Sequence, residues 1–333
     1  MDDCENIVDV VLGMQHGDEA KGKVTHYLSK YKDYTHVLRF NGGCNAGHTI
    51  YHEGKKFVTH HIPAGVFYGV KSIIGPGCVI SPRLFFEEVK MLQDAGINLH
   101  GKLFIAKNAH VITESHLTEE QMENKIGTTR RGNGPAYRDK YARKGVRASE
   151  VATLQPYIID IYEEFHSDKT VKVLCEGAQG FGLDVDWGDY PYVTSSHCGL
   201  GGAFLNGVNP RWLRDVWGVA KIYETYVGAK SFEPDEPVFQ ALRDLGEEYG
   251  ATTGRPRQCN WLNLDILAKN IIINSVNKLV INKMDIMREL GQWKLYHSSK
   301  IISFSCEKEI CDYITSQLPN NVEIFFSDNK NRI

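Results

Sequence analysis

The stretch Gly13-Met-Gln-His-Gly-Asp-Glu-Ala-Lys-Gly-Lys23 directly follows the mostly apolar run 7–12, and its reading decides the rest of the chain. A buried strand feeding a glycine-rich turn and then a helix is the layout of a phosphate-binding loop. Gly17, four residues, then Gly22 and Lys23 have its spacing. Glycines let backbone N–H groups turn inward, the following helix offers its positive end, and Lys23 adds a full charge at the β/γ-phosphate distance. Val24 stands where Ser or Thr usually places a hydroxyl on magnesium, so Asp18 inside the loop is the nearest candidate ligand for the metal. A carboxylate among phosphates is repelled. Its presence points to a chemical duty beyond gripping a nucleotide.

The 333 residues carry a formal charge of −3 with acidic and basic groups interspersed, which gives no broad basic field for nucleic acid or an anionic membrane. An anionic ligand must therefore be met locally. The eight cysteines form no CxxC pair, and neither a signal peptide nor an apolar stretch of spanning length is visible. The expected setting is the cytoplasm, a host's cytoplasm if the source is viral, with Cys44 in a packing role. No repeat or linker divides the chain, so one domain over 1–333 is expected.

Strand-like segments at 7–12, 36–40, 72–74, 103–106, 172–175, 216–223, 278–281 and 322–326 alternate with helical ones. That alternation predicts an α/β fold with a mainly parallel central sheet flanked by helices. A helix is predicted over 81–96, with Ser81 as cap, Pro82 in the first turn and Gly96 at the end. Two more are expected over 154–165 and 261–274. The polar, glycine-rich stretches 41–48, 126–137, 194–202 and 226–258 fall between these elements, where such a sheet places ligand loops.

Several of those stretches carry chemistry. Asn41-Gly-Gly-Cys-Asn-Ala-Gly-His48 lets backbone approach a ligand closely, and His48 is a candidate general acid, with a satisfied structural histidine as the alternative. Asn45 alone reads as a turn residue. The run Gly127-Thr-Thr-Arg-Arg-Gly-Asn-Gly-Pro-Ala-Tyr137, with Asp139, Lys140 and Arg143 beyond it, offers hydroxyls and guanidinium groups suited to a phosphate monoester. Gln179 sits where a carboxamide can read an amide-like edge of a base, and Thr194 adds a hydroxyl. Thr252-Thr-Gly-Arg255-Pro-Arg257 has two guanidiniums two residues apart, able to clamp a dicarboxylate or join it to phosphate. Asn282-Lys283-Met284-Asp285 repeats the base-reading tetrad of GTP-binding proteins, in which the aspartate accepts from guanine N1 and N2.

Taken together, GDEAKGK at 17–23, NAGHT at 45–49, GTT with GNGPAY in 127–137, EGAQG at 176–180, YPYVTSS at 190–196, ATTGRPR at 251–257 and NKMD at 282–285 resemble the adenylosuccinate synthetase family along nearly the whole chain. The resemblance implies a fold related to phosphate-loop hydrolases and a ligase that couples L-aspartate to C6 of a 6-oxopurine nucleoside monophosphate, using a nucleoside triphosphate and Mg²⁺. It implies that Asp18 removes the N1 proton while His48 donates to the 6-oxygen as it attacks the γ-phosphate, with Lys23 and Gln179 completing the catalytic set. It places Gly17, Glu19, Ala20, Lys21, Gly22, Lys23, Lys283 and Asp285 on the triphosphate. Asn45, Thr128, Thr129, Arg143, Gln179, Thr194, Val227 and Arg255 fall on the monophosphate, and Thr252, Thr253, Arg255 and Arg257 on aspartate. Asp18 and the Gly47 carbonyl fall on Mg²⁺. Arg143 is implied to reach the neighbouring subunit's site in a homodimer.

Departures from the cellular members cluster around the ligands. Tyr226-Val-Gly-Ala-Lys230-Ser-Phe replaces an arginine-containing run beside the ribose, and the acid loop reads Arg255-Pro-Arg257-Gln258 rather than a string of arginines. A C-terminal Ser-Thr-Gly-Pro base loop and a large insertion are missing. These features resemble the phage branch, which makes N6-succino-2-amino-2′-deoxyadenylate from dGMP for diaminopurine DNA, and dGMP is the expected acceptor with IMP as the alternative. Asp285 favours GTP, with ATP or dATP open. A regulatory GTPase and a catalytically silent nucleotide-binding scaffold are the rivals from other classes.

Overall fold

A computed structural model describes residues 6–122, 126–167, 169–250, 254–329 and 332–333. Its frame is a nine-stranded sheet in the order Glu323–Phe326, Lys278–Asn282, Leu213–Lys221, Ile7–Gly13, Lys172–Glu176, His36–Arg39, Lys71–Ile74, Leu103–Ala106 and Ile158–Ile159. Every neighbouring pair is parallel. Parallel strands need crossovers and are covered on both faces, which is why Val8, Val10, Val11 and Leu12 are all fully buried rather than alternating. The expected α/β class and mainly parallel sheet are what the structure has.

The strand Ile7–Gly13 lies in the middle, between Leu213–Lys221 and Lys172–Glu176. The chain runs outward from it in both directions, and the phosphate loop therefore leaves at a switch point of the sheet. The loops after Arg39, Glu176, Lys221 and Asn282 emerge at the same edge. A crevice outside the carboxyl ends of the strands follows from this topology alone.

The 81–96 helix is present as Pro82–Asp94, with the Ser81 hydroxyl accepting from Leu84 N and Phe85, Val89 and Leu92 on the buried face. Two other predicted helices are corrected. Within 154–165, Pro156 removes an N–H and the segment divides into a 3₁₀ turn Ala152–Tyr157, the edge strand Ile158–Ile159 and a short helix Ile161–Phe165 capped by Asp160. The segment 261–274 is helical only from Leu264, because its first three residues belong to the strand Gln258–Asn263, which pairs antiparallel with Tyr223–Tyr226. The helix Leu264–Ile273 begins where the Asn263 side chain accepts from Ile266 N. The predicted strand 216–223 likewise ends at Lys221. Tyr223 onward belongs to a second sheet, Tyr223–Tyr226, Gln258–Asn263, Trp293–His297 and Lys300–Phe304, beside the first. One apolar cluster includes Val10 and Ile281 of the first sheet and Trp261 and Leu295 of the second.

Candidate active site

A cleft of about 800 Å³ opens at the carboxyl edge of the parallel sheet. Along it lie Asp18, Lys21, Lys23, Asn45, Gly47, His48, Thr128, Thr129, Gln179, Thr194, Val227, Arg255, Arg257, Lys283 and Asp285. Segments separated by more than two hundred residues thus share one wall. Thr252 and Thr253 lie outside the described residues. Arg143 is exposed beyond the helix Asn133–Tyr141 and does not line this cleft.

The phosphate loop is held from below. Gln15 donates through Nε2 to the carbonyls of Lys221 and Tyr223, and accepts from Lys221 N at 2.9 Å. Glu19 turns inward, fully buried, and accepts from Gln15 N, from Gly17 N at 2.8 Å and from Lys21 Nζ at 2.6 Å. Asp18 and Ala20 adopt positive φ, 59° and 72°. Such strain in L-residues persists only where surrounding bonds enforce it. The helix Lys21–Tyr31 then starts with no side-chain cap, which leaves first-turn N–H groups for an anion. The Glu19 side chain is thus a strut within the loop, which leaves any triphosphate contact at this position to its backbone.

Val24 is fully buried in an apolar cluster with Val11 and Leu28, so it has no bearing on a metal. The part-exposed Asp18 carboxylate and Gly47 line the same cleft, and a carboxylate with a backbone carbonyl is a hard oxygen set that Mg²⁺ would accept. A different acidic group, Asp184, Asp186 and His197, comes close enough to hold a cation. The Asp184 carboxylate there already accepts from Asp186 N, Trp187 N and Cys198 N, which is the bonding of a loop brace.

The two phosphate-loop lysines diverge. Lys21 pairs with Glu19 beneath the loop. Lys23 crosses to the far strands, where Nζ donates to Asn282 Oδ1 at 2.5 Å, Ser327 Oγ at 2.8 Å and the Asn329 carbonyl at 3.0 Å. Burial lowers its pKa to about 8 against the opposing pull of Asp285 and Asp328. Lys283 donates to the Gly246 carbonyl at 2.9 Å. At this end of the cleft the polar groups already satisfy one another.

The opposite end differs. Asn41 ties two loops together, accepting from Ala178 N and donating to the Ala178 carbonyl and Ser196 Oγ. Gln179, at φ 56°, donates through Nε2 to Asn45 Oδ1 at 3.1 Å, while its Oε1 is buried with no partner among the described residues. His48 Nδ1 lies 2.6 Å from Glu176 Oε1, and Nε2 is likewise without a partner among them. Burial, then the Arg39 charge, push the imidazole pKa down to about 4. Cys44 packs here, its thiol raised to about 11 by burial.

Arg257 joins the two ends. Its Nη1 meets Glu248 Oε2 at 2.5 Å, and Glu248 is fixed in turn by Lys221 Nζ and the Tyr223 hydroxyl. Nε lies 3.0 Å from Asp18 Oδ2, close enough for an ion pair, yet its hydrogen does not point along that line. The contact is one of charge rather than an aligned hydrogen bond, and ligand oxygens can replace it.

Arg39, Glu176 and Glu248 were not singled out from the sequence. Arg39 and Glu176 each end a strand whose middle residues are apolar and buried, and they are register partners across the sheet. A charged residue ending a buried strand was the signal available.

The comparisons agree with this construction. The family model described as adenylosuccinate synthetase matches residues 10–155 and 150–320. An adenylosuccinate synthetase of Halothermothrix orenii is 36% identical over 372 residues, covering 95% of this chain and 84% of its own. That of Salinibacter ruber is 39% identical over 351 residues, covering 86% and 80%. Among solved structures, fully ligated adenylosuccinate synthetase from Plasmodium falciparum superposes with a TM-score of 0.80 at 33% identity, over 92% of this chain and 86% of that one. The cyanophage S-2L succinoaminodeoxyadenylate synthetase bound to dGMP and dATP gives 0.72 at 21% identity, over 94% and 99%, a likeness of fold. With the glycine-rich loop 17–23, Arg255 and Arg257, and Lys283 and Asp285 all lining one cleft, and with these relatives, the chain belongs to the adenylosuccinate synthetase family of carbon–nitrogen ligases.

Proposed function

We propose that the protein joins L-aspartate to C6 of IMP, driven by GTP with Mg²⁺, to form adenylosuccinate. The observation that carries this is the approach of Arg257 to Asp18 at 3.0 Å, since it sets the acid-binding loop directly against the phosphate loop. A regulatory GTPase or a silent scaffold would have no use for that junction. IMP takes precedence over the dGMP expected from the ribose-side departures. Curated relatives that make adenylosuccinate share 36–39% of residues with this chain, whereas the dGMP-bound enzyme shares 21%, which speaks for fold alone.

On this reading Asp18 takes the N1 proton of the purine, and the electron pair moves to the 6-oxygen. That oxygen attacks the γ-phosphorus and GDP leaves. The amine of aspartate then adds at C6, loses a proton and expels phosphate. Mg²⁺ held by Asp18 and the Gly47 carbonyl would offset phosphate charge. His48 faces the oxygen as charge develops there, Gln179 and Asn45 orient the purine nucleotide, and Arg255 and Arg257 hold the substrate's carboxylates. Arg143, exposed and outside this cleft, suits a role across a homodimer interface. Sedimentation of the protein with and without nucleotide tests that assembly.

Purified protein is incubated with L-aspartate, Mg²⁺ and each pairing of IMP, GMP or dGMP with GTP, ATP or dATP, and products are identified by mass. Adenylosuccinate from IMP and GTP is expected. Succinylation of dGMP alone would transfer the protein to the diaminopurine reaction. Triphosphate hydrolysis with no added aspartate in any product would defeat the ligase chemistry proposed for this chain.

A further inference from the structure

His48 is one side chain in a buried triad. Glu176 Oε1 lies 2.6 Å from His48 Nδ1 and 2.8 Å from Arg39 Nη1, while Glu176 Oε2 accepts from Ala64 N at 2.9 Å. All three residues are at most 5% exposed. Arg39 Nη1 also comes within 2.9 Å of His48 Nδ1, so that nitrogen has a donor and an acceptor competing for it. It cannot carry a proton for Glu176 and a lone pair for Arg39 at once.

The competition has a clear winner. Arg39 has other acceptors for its hydrogens: the Asn41 carbonyl for Nε, the His60 carbonyl for Nη2 and Glu176 itself for Nη1. Glu176 has only acceptor oxygens while ionised. Burial alone would raise its carboxyl pKa, yet the His48 hydrogen bond, the Arg39 charge and the Ala64 N–H outweigh burial and hold it below the usual range. A bare Nδ1 at 2.6 Å from an ionised carboxylate would set lone pair against lone pair. The proton therefore belongs on Nδ1.

We infer that Glu176, backed by Arg39, is the positioning residue for His48: it takes the Nδ1–H and so reserves Nε2 for the nucleotide. Nε2 of the cleft-lining His48, without a partner among the described residues, is the face left over. When a proton is carried on Nε2 toward a phosphoryl or 6-oxygen, the imidazolium lies between that oxygen and the Glu176 carboxylate. Glu176 never loses its negative charge in this arrangement; it orients the ring and stabilises its charged form. The consequence for turnover rests on the mechanism proposed above, whereas the tautomer does not.

Long-range ¹H–¹⁵N correlation spectra of the ¹⁵N-histidine-labelled protein distinguish the two tautomers, with the His48 signals assigned by their absence in His48→Asn. The Nδ1–H form is expected in the wild type. An Nε2–H form would overturn the inference without any variant. In Glu176→Gln the His48 signals should change tautomer or exchange, and kcat should fall about 100-fold or more with KM for the mononucleotide changed by less than about threefold. A folded Glu176→Gln protein with wild-type kcat and an unchanged tautomer sinks the proposal. Should that variant not fold, Arg39→Lys keeps a cation beside Glu176 and is expected to retain the Nδ1–H form; its loss there would place the control with Arg39 instead. Full turnover in His48→Asn is a separate outcome: it defeats the proposed mechanism and leaves the tautomer result standing.

Discussion

The two ends of the cleft are finished to different degrees. At the His48 and Gln179 end, His48 Nε2 and Gln179 Oε1 are buried and aimed at nothing among the described residues. At the Lys23 end, Asn282, Ser327, Asn329 and Gly246 already accept from the lysines, so a ligand must exchange partners rather than meet open ones. Leaving a buried polar atom unpaired costs about 1–3 kcal/mol, whereas swapping one good hydrogen bond for another is nearly neutral. The His48 and Gln179 end is therefore preorganised, with polar atoms waiting for a ligand. The Lys23 end is relaxed without one, and substitutions there should act more weakly.

The largest effects are expected from the charge-handling groups. Asp18→Ala and His48→Ala should each lower turnover about a thousandfold, the cost of roughly 3 to 4 kcal/mol of barrier when one preorganised contact is lost. Asp18 is 36% exposed with its ion pair to Arg257 as its side-chain tie, so Asp18→Ala should leave the melting temperature within a few degrees of wild type. Near-normal product formation by either variant would break the contrast between the ends at its strongest point.

Gln179→Ala comes next. Its Oε1 has no described partner to lose and its Nε2 has one, Asn45, so the folded protein gives up little while a bound purine loses a contact. A fall of about 10- to 100-fold in kcat/KM for the mononucleotide is expected, with KM for the triphosphate unchanged. An equal rise in both KM values would show that this end is no better preorganised than the other. Asp285→Ala probes the relaxed end. A drop of about tenfold in kcat/KM for GTP, with ATP unaffected, is expected if its carboxylate reads guanine. An equal loss with both donors would remove base reading from Asp285.

How far these features could be read without a structure follows the same physical division. Contiguous motifs were legible: the loop 13–23, the helix at 82–94 and the loops at sheet-strand ends rely on local spacing, caps and apolar runs. What escaped depended on distant partners. The second sheet was missed because Gln258–Asn263 becomes a strand only by pairing with Tyr223–Tyr226, and its tryptophan and leucine fit a helical face equally well. Pro156 was present to be weighed, but the edge strand it permits at Ile158–Ile159 exists only beside Leu103–Ala106. At the site, Glu19 and Asp18 are adjacent acids with opposite fates, one a buried strut and one in the cleft. No spacing rule separates them: the Glu19 carboxylate is held under the loop by Gln15 N, Gly17 N and Lys21 Nζ while the backbone takes a positive φ at Asp18, and Gln15 anchors that loop to the Lys221 and Tyr223 carbonyls two hundred residues away.

The weakest expected effect is also the one whose sign distinguishes the two ends. Lys23 has its pKa lowered from 10.5 to about 8, chiefly by burial. Between those values the unfolded chain holds a proton that the folded, ligand-free protein has released, so this lysine's contribution to stability rises with pH from about 8 to 10.5. Triphosphate binding runs the other way. An anion prefers the charged ammonium, so affinity should weaken as pH climbs through 8, by less than about tenfold because Asn282, Ser327 and the Asn329 carbonyl still compete for the same nitrogen. Lys23→Met should flatten both dependences, read by thermal melts and by calorimetric titration with a non-hydrolysable triphosphate. Stability and affinity that rise together through pH 8 would mean that Lys23 does not meet the triphosphate, and that the paired state at this end of the cleft persists when the nucleotide is bound.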